Sequence, residues 1–258
     1  MIASFESRLK KTKVKGLPKS AKPVAAIVPH AGWAYSGFTA NCCYSALSKT
    51  VEKDVKPCFA VLCPNHSGAG ASVALSMQDW ETPLGVAKSD AELSKHVLKN
   101  SKLLQVSEEA HAFEHAVEVQ VPFLQHYFKD FSIVPIALMR QDIDVANDLS
   151  MALAQAGRDL GRRIIVVASS DFTHYEPAQA AREKDMYAIE AVKSLDEREF
   201  LRRVVERQVS ACGYGAIAMA IAYAKIMDAK KAELLHFSNS GEVTGDVAVV
   251  DYAGMLLY

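Results

Sequence analysis

The stretch "RRIIVVASSDFTHYEP" (162–177) is where the fold can be read. Ile164 to Ala168 is an unbroken run of β-branched and small apolar residues. Such a run marks a strand covered on both faces. It breaks at once into Ser169, Ser170 and Asp171, with His174 three residues further on. Open α/β sheets bind their ligands beyond the carboxyl ends of their strands. The residues that follow this strand are therefore candidates for chemistry.

Two other stretches repeat the pattern. "KPCFAVLCPNHSGAG" (56–70) is an apolar run, then Pro64, then His66 in a Gly/Ser-rich loop. "IVPHAGWAYSG" (27–37) ends its run at Pro29 and places His30 next. Around these, short apolar runs predict strands at 24–29, 58–63, 72–77, 132–138, 163–168, 233–237 and 248–257. Segments of helical period predict helices at 37–48, 90–99, 116–128, 145–160, 179–193, 197–206 and 215–228. Ser89 or Asp90 ahead of Glu92 supplies a helix start. The alternation predicts a single-domain α/β layered fold, with a mostly parallel or mixed sheet flanked by helices. With no repeat, linker or low-complexity segment, residues 1–258 read as one domain. Residues 1–22 form a basic N-terminal segment, read as solvated or frayed.

The totals exclude several classes. With 258 residues, half of them apolar, the chain is long enough for a sizeable core. A net charge of −1 favours neither nucleic acid nor an anionic membrane. No apolar run reaches the roughly 18 residues that span a bilayer. Five cysteines without regular spacing do not make a disulfide framework, so reduced thiols and a cytoplasmic location are expected.

Three of the eight histidines thus follow predicted strands, each beside Gly or Pro. Imidazole is the commonest metal ligand, and its near-neutral pKa also suits a base. A lone histidine at a sheet rim is just as well satisfied by a backbone hydrogen bond. Cys212, in "RQVSACGYGAIAMA" (207–220), precedes a Gly-rich helix start; it reads either as a ligand, since a thiolate is stabilised there, or as a buried structural cysteine. Glu114, His115 and Glu118 open the helix predicted at 116–128. They read either as a pocket wall and orienting shell or as an acidic start that suits the helix dipole. Cys42, Cys43, Cys58 and Cys63 fall inside predicted elements and read as core. His96, His111, His126 and His236 read as surface or core.

In order along the chain, "PHAGWAYSG", "PNHSGAG", "EHAVEVQVPFL", "SSDFTHYE" and "ACGYGAI" resemble the MEMO family. That family is similar to the class III extradiol, LigB-like dioxygenases, which hold non-haem Fe(II) with two histidines and a carboxylate. The resemblance implies metal ligands His30, His66 and Cys212. It places His174 as acid/base beside Asp171, and Tyr35, Glu114 and His115 in the pocket lining. It implies Fe(II) first, with zinc or copper as alternatives. The chain departs from the family in lacking an "AGxFYP"-like segment before the first strand, and in carrying Ala116 where a serine is usual.

A thiolate in place of the carboxylate is softer and changes both metal preference and redox potential. Three readings follow. One is a dioxygenase-like or redox enzyme with His174 as proton carrier. Another is a metal-dependent hydrolase. The third is a peptide- or protein-binding module built on the old pocket. The expected partners are a small molecule or peptide, with no nucleic acid and no membrane.

Overall fold

The apolar run that opens into Ser169 is a central strand with parallel neighbours on both sides. The structure is a computed structural model, and it describes every residue except Lys13, Lys15, Lys19 and 52–55. In chain order the first elements are α1 (Ile2–Lys11), β1 (Ala25–Val28), α2 (Trp33–Ser48), β2 (Cys58–Pro64), β3 (Val73–Leu75), β4 (Trp80–Thr82) and β5 (Gly85–Ala87). Next come α3 (Ala91–Asn100), β6 (Gln105–Val106), a 3-10 turn (Glu108–Ala110), α4 (Val121–Tyr127), β7 (Ser132–Leu138) and α5 (Ile143–Leu160). The chain ends with β8 (Ile164–Ser169), β9 (His174–Pro177), α6 (Ala178–Lys193), α7 (Glu197–Arg207), α8 (Tyr214–Ile226), β10 (Ala232–Asn239), α9 (Gly241–Thr244) and β11 (Ala248–Leu257).

The main sheet runs β10-β11-β1-β8-β2-β7-β3-β6, with β9 also on β11. Its centre, β1-β8-β2-β7, is parallel. The flanks are mixed: β11 is antiparallel to β1, and β3 antiparallel to β7. Side chains alternate across the pleat. Ala25, Ile27, Ala60 and Leu62 join a core with α5 and α8, whereas Ala26, Val28, Phe59 and Val61 join one with α2 and α4. Every residue of β1, β2, β7 and β8 is buried. This is the mixed α/β sheet expected from the sequence, and the parallel strands at its centre send the ends of β1, β2 and β8 to one edge.

Besides the short strands β4, β5 and β6, the 3-10 turn and α9, which the sequence did not predict, three further regions differ from the sequence expectation. The N-terminal segment is not frayed over Ile2–Lys11. Ile2, Phe5 and Leu9 share a helical stripe, Ile2 is buried, Phe5 stacks on Phe123 and Arg8 lies over Phe38. The helix predicted at 116–128 is α-helical only from Val121. Upstream, the Glu114 side chain accepts from the Ala116 amide and holds the chain in turns, and Pro122 then starts the helix. The strand β9, directly after the 170–173 loop, is also new: it pairs with β11.

Candidate metal centre

His30 stands at the carboxyl end of β1, next to β8, and only 2 % of its surface is exposed. Its orientation follows from proton counting. Gln120 Nε2 lies 2.9 Å from the Pro29 carbonyl, which can only accept, so that atom is the amide nitrogen and a donor. The same nitrogen donates to Ser169 Oγ at 2.9 Å. Ser169 spends its one proton on the Ala116 carbonyl, 2.8 Å away. His30 Nδ1, 3.0 Å from Ser169 Oγ, must then donate. The proton sits on Nδ1, and Nε2 is bare. Burial holds the ring down at about 4, with Asp171 opposing, so it is neutral near pH 7.

His66, after β2, is set by Glu114. The fully buried carboxylate accepts from the His66 amide at 2.7 Å and faces His66 Nδ1 at 3.0 Å. Burial alone would raise Glu114. The hydrogen bonds from His66 and Ala116 prevail and bring it down to about 2. An ionised carboxylate only accepts, so His66 also carries its proton on Nδ1 and turns Nε2 outward. The same hydrogen bond raises His66 above its ordinary range. His115 Nδ1 lies 3.5 Å from Glu114, and the His66 and His115 rings stack 5.1 Å apart. His30 meets both rings edge-on, at 5.3 and 5.4 Å. Donor atoms of His30, His66 and His115 all lie within 4.8 Å of one another, so the three are able to hold a metal ion.

Cys212 enters from the loop before α8. Gly213 allows it: a Cβ there would sit 2.6 Å from the Ser169 carbonyl oxygen. Cys212 Sγ lies 3.2 Å from His30 Nε2 and accepts from the Asp171 amide at 3.3 Å. Burial first, then the Asp171 charge, push the thiol up to about 12. The other four cysteines are buried in α2 and β2. Asp171 Oδ1 accepts from the amides of His30 and Ala31, at 2.8 and 3.2 Å, and so shapes the turn after β1. His174, half-buried at the start of β9, is held by Ser210 and not by Asp171: its amide donates to Ser210 Oγ, and its Nδ1 lies 2.9 Å from the Ser210 carbonyl. Tyr35 is in the first turn of α2 and 43% exposed. Of the other histidines, His96 and His126 pair with Asp159 and Glu6, His111 faces the Ala74 carbonyl and His236 faces Thr39.

Sequence reasoning did not single out Ser169 or Gln120 as orienting residues. One signal was present: Gln120 is the lone uncharged polar residue in "VQVPFL", and a buried glutamine in such a run needs partners.

Fold and side chains together define an α/β protein with a histidine group, able to hold a metal ion, at the carboxyl edge of its sheet. Residues 3–256 match the family model described as Memo-like protein, and the chain belongs to that family. It is 40% identical over 235 residues to a MEMO1 family protein of Methanococcoides burtonii, covering 91% of this chain and 86% of that one. It is 40% identical over 239 residues to one of Archaeoglobus fulgidus, covering 92% and 88%. A crystal structure of an uncharacterized Escherichia coli K12 protein has the same fold, with a TM-score of 0.56 at 11% identity over 90% of this chain and 99% of that one. Among the described residues, no helix is long and apolar enough to cross a membrane.

Proposed function

We propose that the chain is a mononuclear metal protein whose centre carries out redox chemistry on a small organic molecule. The observation that carries this reading is the convergence of donor atoms of His30, His66 and His115 within 4.8 Å of one another, with Cys212 Sγ 3.2 Å from His30 Nε2. Imidazole and thiolate are borderline to soft donors and suit iron, zinc or copper over magnesium or calcium. His30 and His66 are the proposed ligands, with Cys212 completing the set. His115 is an alternative third donor, favoured by its place in the three-histidine group. Ferrous iron is the first choice on the family resemblance. When bound, it supplies open coordination positions and one-electron chemistry.

The chain's own residues do the rest. Ser169 and Glu114 fix the two ligand rings. His174 offers Nε2 to take up or return a proton, because its Nδ1 proton is committed to Ser210. The reading assigns the protein to the cytoplasm, where Cys212 stays reduced. The test is metal analysis of protein purified without oxygen. About one iron, copper or zinc per chain is expected, and it should be lost in His30→Ala and His66→Ala. Full-length, folded protein that retains no metal in any form overturns the reading.

A second reading is favoured by the exposed aromatics beside Glu114 and His174. Phe113 and Tyr175 are 87% and 79% exposed, and they adjoin Glu114 and His174. Large apolar side chains left in water at a site's mouth mark a contact surface. In that reading the site binds a peptide and turns nothing over.

A further inference from the structure

The structure assigns the apolar pocket beside Cys212 as the binding site for an elongated apolar monoanion, a carboxylate with an alkyl or aryl body. The pocket has a volume of about 890 Å³ and lies between the start of α5, the face of α7 and the loop into α8. That is within the roughly 300–1,000 Å³ typical of small-molecule sites. Ile143, Leu201, Val204, Val209 and Tyr214 make its walls. Its inner end is the segment Ser210, Ala211 and Cys212. This is the segment that holds His174 through Ser210 and brings Cys212 to His30. The assignment rests on the proposed metal site only for what the inner end of the ligand would meet.

The wall is preformed. Gln141 donates to the Cys212 carbonyl at 2.9 Å and accepts from the Gly215 amide at 2.8 Å. Gly215 is needed there, since a Cβ would sit 2.6 Å from Gln141 Cβ. A clamp of this kind keeps the cavity open without a ligand and lowers the ordering cost of binding.

Charge selects the ligand class. Three of the four arginines of α7 differ in their partners. Arg202 is paired with Glu199 and Glu206, and Arg203 with Glu199 and the Tyr187 carbonyl. Arg198, on the pocket lining, makes no ion pair or hydrogen bond among the described residues. Asp142 also lines the pocket, but it caps α5 and is paired with Arg140. One free cation therefore faces one satisfied anion. That balance accepts a single negative charge and repels a dianion such as a phosphate monoester. Val205 lines the same pocket and is 78% exposed, an apolar contact awaiting a partner.

The experiment is calorimetric titration of the full chain, with and without bound metal, using octanoate, decanoate, octylamine and octyl phosphate. Octanoate should bind, and decanoate should bind roughly fifteenfold tighter, since each buried methylene is worth about a factor of four. Octylamine and octyl phosphate should bind at least tenfold more weakly than octanoate. Arg198→Gln should lose about tenfold for octanoate, and Val205→Asp should lose binding; both sites are exposed, so the fold is kept. Metal-free protein should bind octanoate as well as loaded protein, so a failed metal reading leaves this result intact. Equal affinity for octanoate and decanoate, or unchanged affinity in both variants, overturns the proposal. So does light scattering that shows a dimer dissociated by Val205→Asp together with no octanoate binding, because the pocket is then a contact between copies.

Discussion

His30 Nε2 lies 3.2 Å from Cys212 Sγ, although the two residues are separated by 182 positions and reach that point from different elements. In the metal-free protein the thiol proton bridges them, which the raised thiol pKa of about 12 favours. A metal binding between them must displace that proton. Cys212→Ser should therefore weaken binding of iron, copper or zinc by at least about tenfold. Cys58→Ser should leave metal content per folded chain unchanged, because Cys58 lies buried in β2. Equal metal content in the two variants removes Cys212 from the centre and leaves His115 as the third donor.

Ser169 sets which nitrogen of His30 carries the proton. Ser169→Ala removes the acceptor for Nδ1–H and frees the ring to move its proton to Nε2. A metal would then meet an N–H where it needs a lone pair. The change should cost about 10–100-fold in metal affinity, and about 1–3 kcal/mol of stability from the partners left unsatisfied. Nitrogen NMR of the imidazoles in metal-free protein checks it directly. Wild-type His30 should be protonated at Nδ1 and the variant should be a mixture. A wild-type ring protonated at Nε2 would contradict the hydrogen-bond count.

The fold was legible where one signal dominates. Ile164–Ala168 and Cys58–Pro64 are apolar throughout because helices cover both faces, and their bounds at Ser169 and Asn65 mark where each strand ends. Strand-end histidines were legible for the same reason, since the strand fixes where the next residue lies. The 111–120 segment was not. Its residues suit a helix, but the Glu114 carboxylate satisfies the His66 and Ala116 amides, a contact 48 residues apart that no local pattern encodes. The helix α1 was masked by its basic residues Arg8, Lys10 and Lys11, of which Arg8 itself packs over Phe38. The partner of His174 was misread because Asp171 is near in sequence, whereas Ser210 is near in space.

Asp251 and Asp185 form a buried carboxyl pair behind the 171–174 loop, and both are wholly buried. Asp185 accepts from Thr173 through its amide and its hydroxyl, at 3.1 and 2.6 Å. Burial raises Asp185 to about 6. Burial and the Asp185 charge raise Asp251 to about 8. Arg182 opposes the rise of Asp251, while Glu242 and Glu176 add to those of Asp251 and Asp185 respectively. In an unfolded chain both groups ionise near 4. The fold is thus favoured fully below about pH 4 through this pair, and that contribution is lost as pH rises through 6 and 8. Asp251→Asn removes the second ionisation. It should gain about 1–3 kcal/mol over wild type at pH 9 relative to their difference at pH 6. Urea unfolding at the two pH values measures this. A gap that does not change with pH means the pair holds no proton.

The last prediction separates an enzyme from a binding module, and it concerns His174. The Ser210 carbonyl, 2.9 Å from His174 Nδ1, can only accept, so Nδ1 carries a proton committed to it and Nε2 is the ring atom left to exchange one. The ring is half-buried and its hydrogen bonds go to Ser210 alone, so His174→Ala should keep the fold and the metal. If the ring moves a proton during turnover, its loss costs about 10²–10⁴ in rate. The measurement is oxygen uptake with catechols and thiols, using iron- and copper-loaded protein, followed by the same assays on His174→Ala. A wild type that turns over and a variant that is slowed by that factor with unchanged metal content support the proton-carrier role. A variant as fast as wild type removes His174 from the chemistry. A metal-loaded wild type that consumes no oxygen with any of them, and binds an aromatic-rich peptide only while Phe113 and Tyr175 are intact, favours the binding module. In that case His174 serves to hold β9 against the Ser210 loop, which its two hydrogen bonds already do.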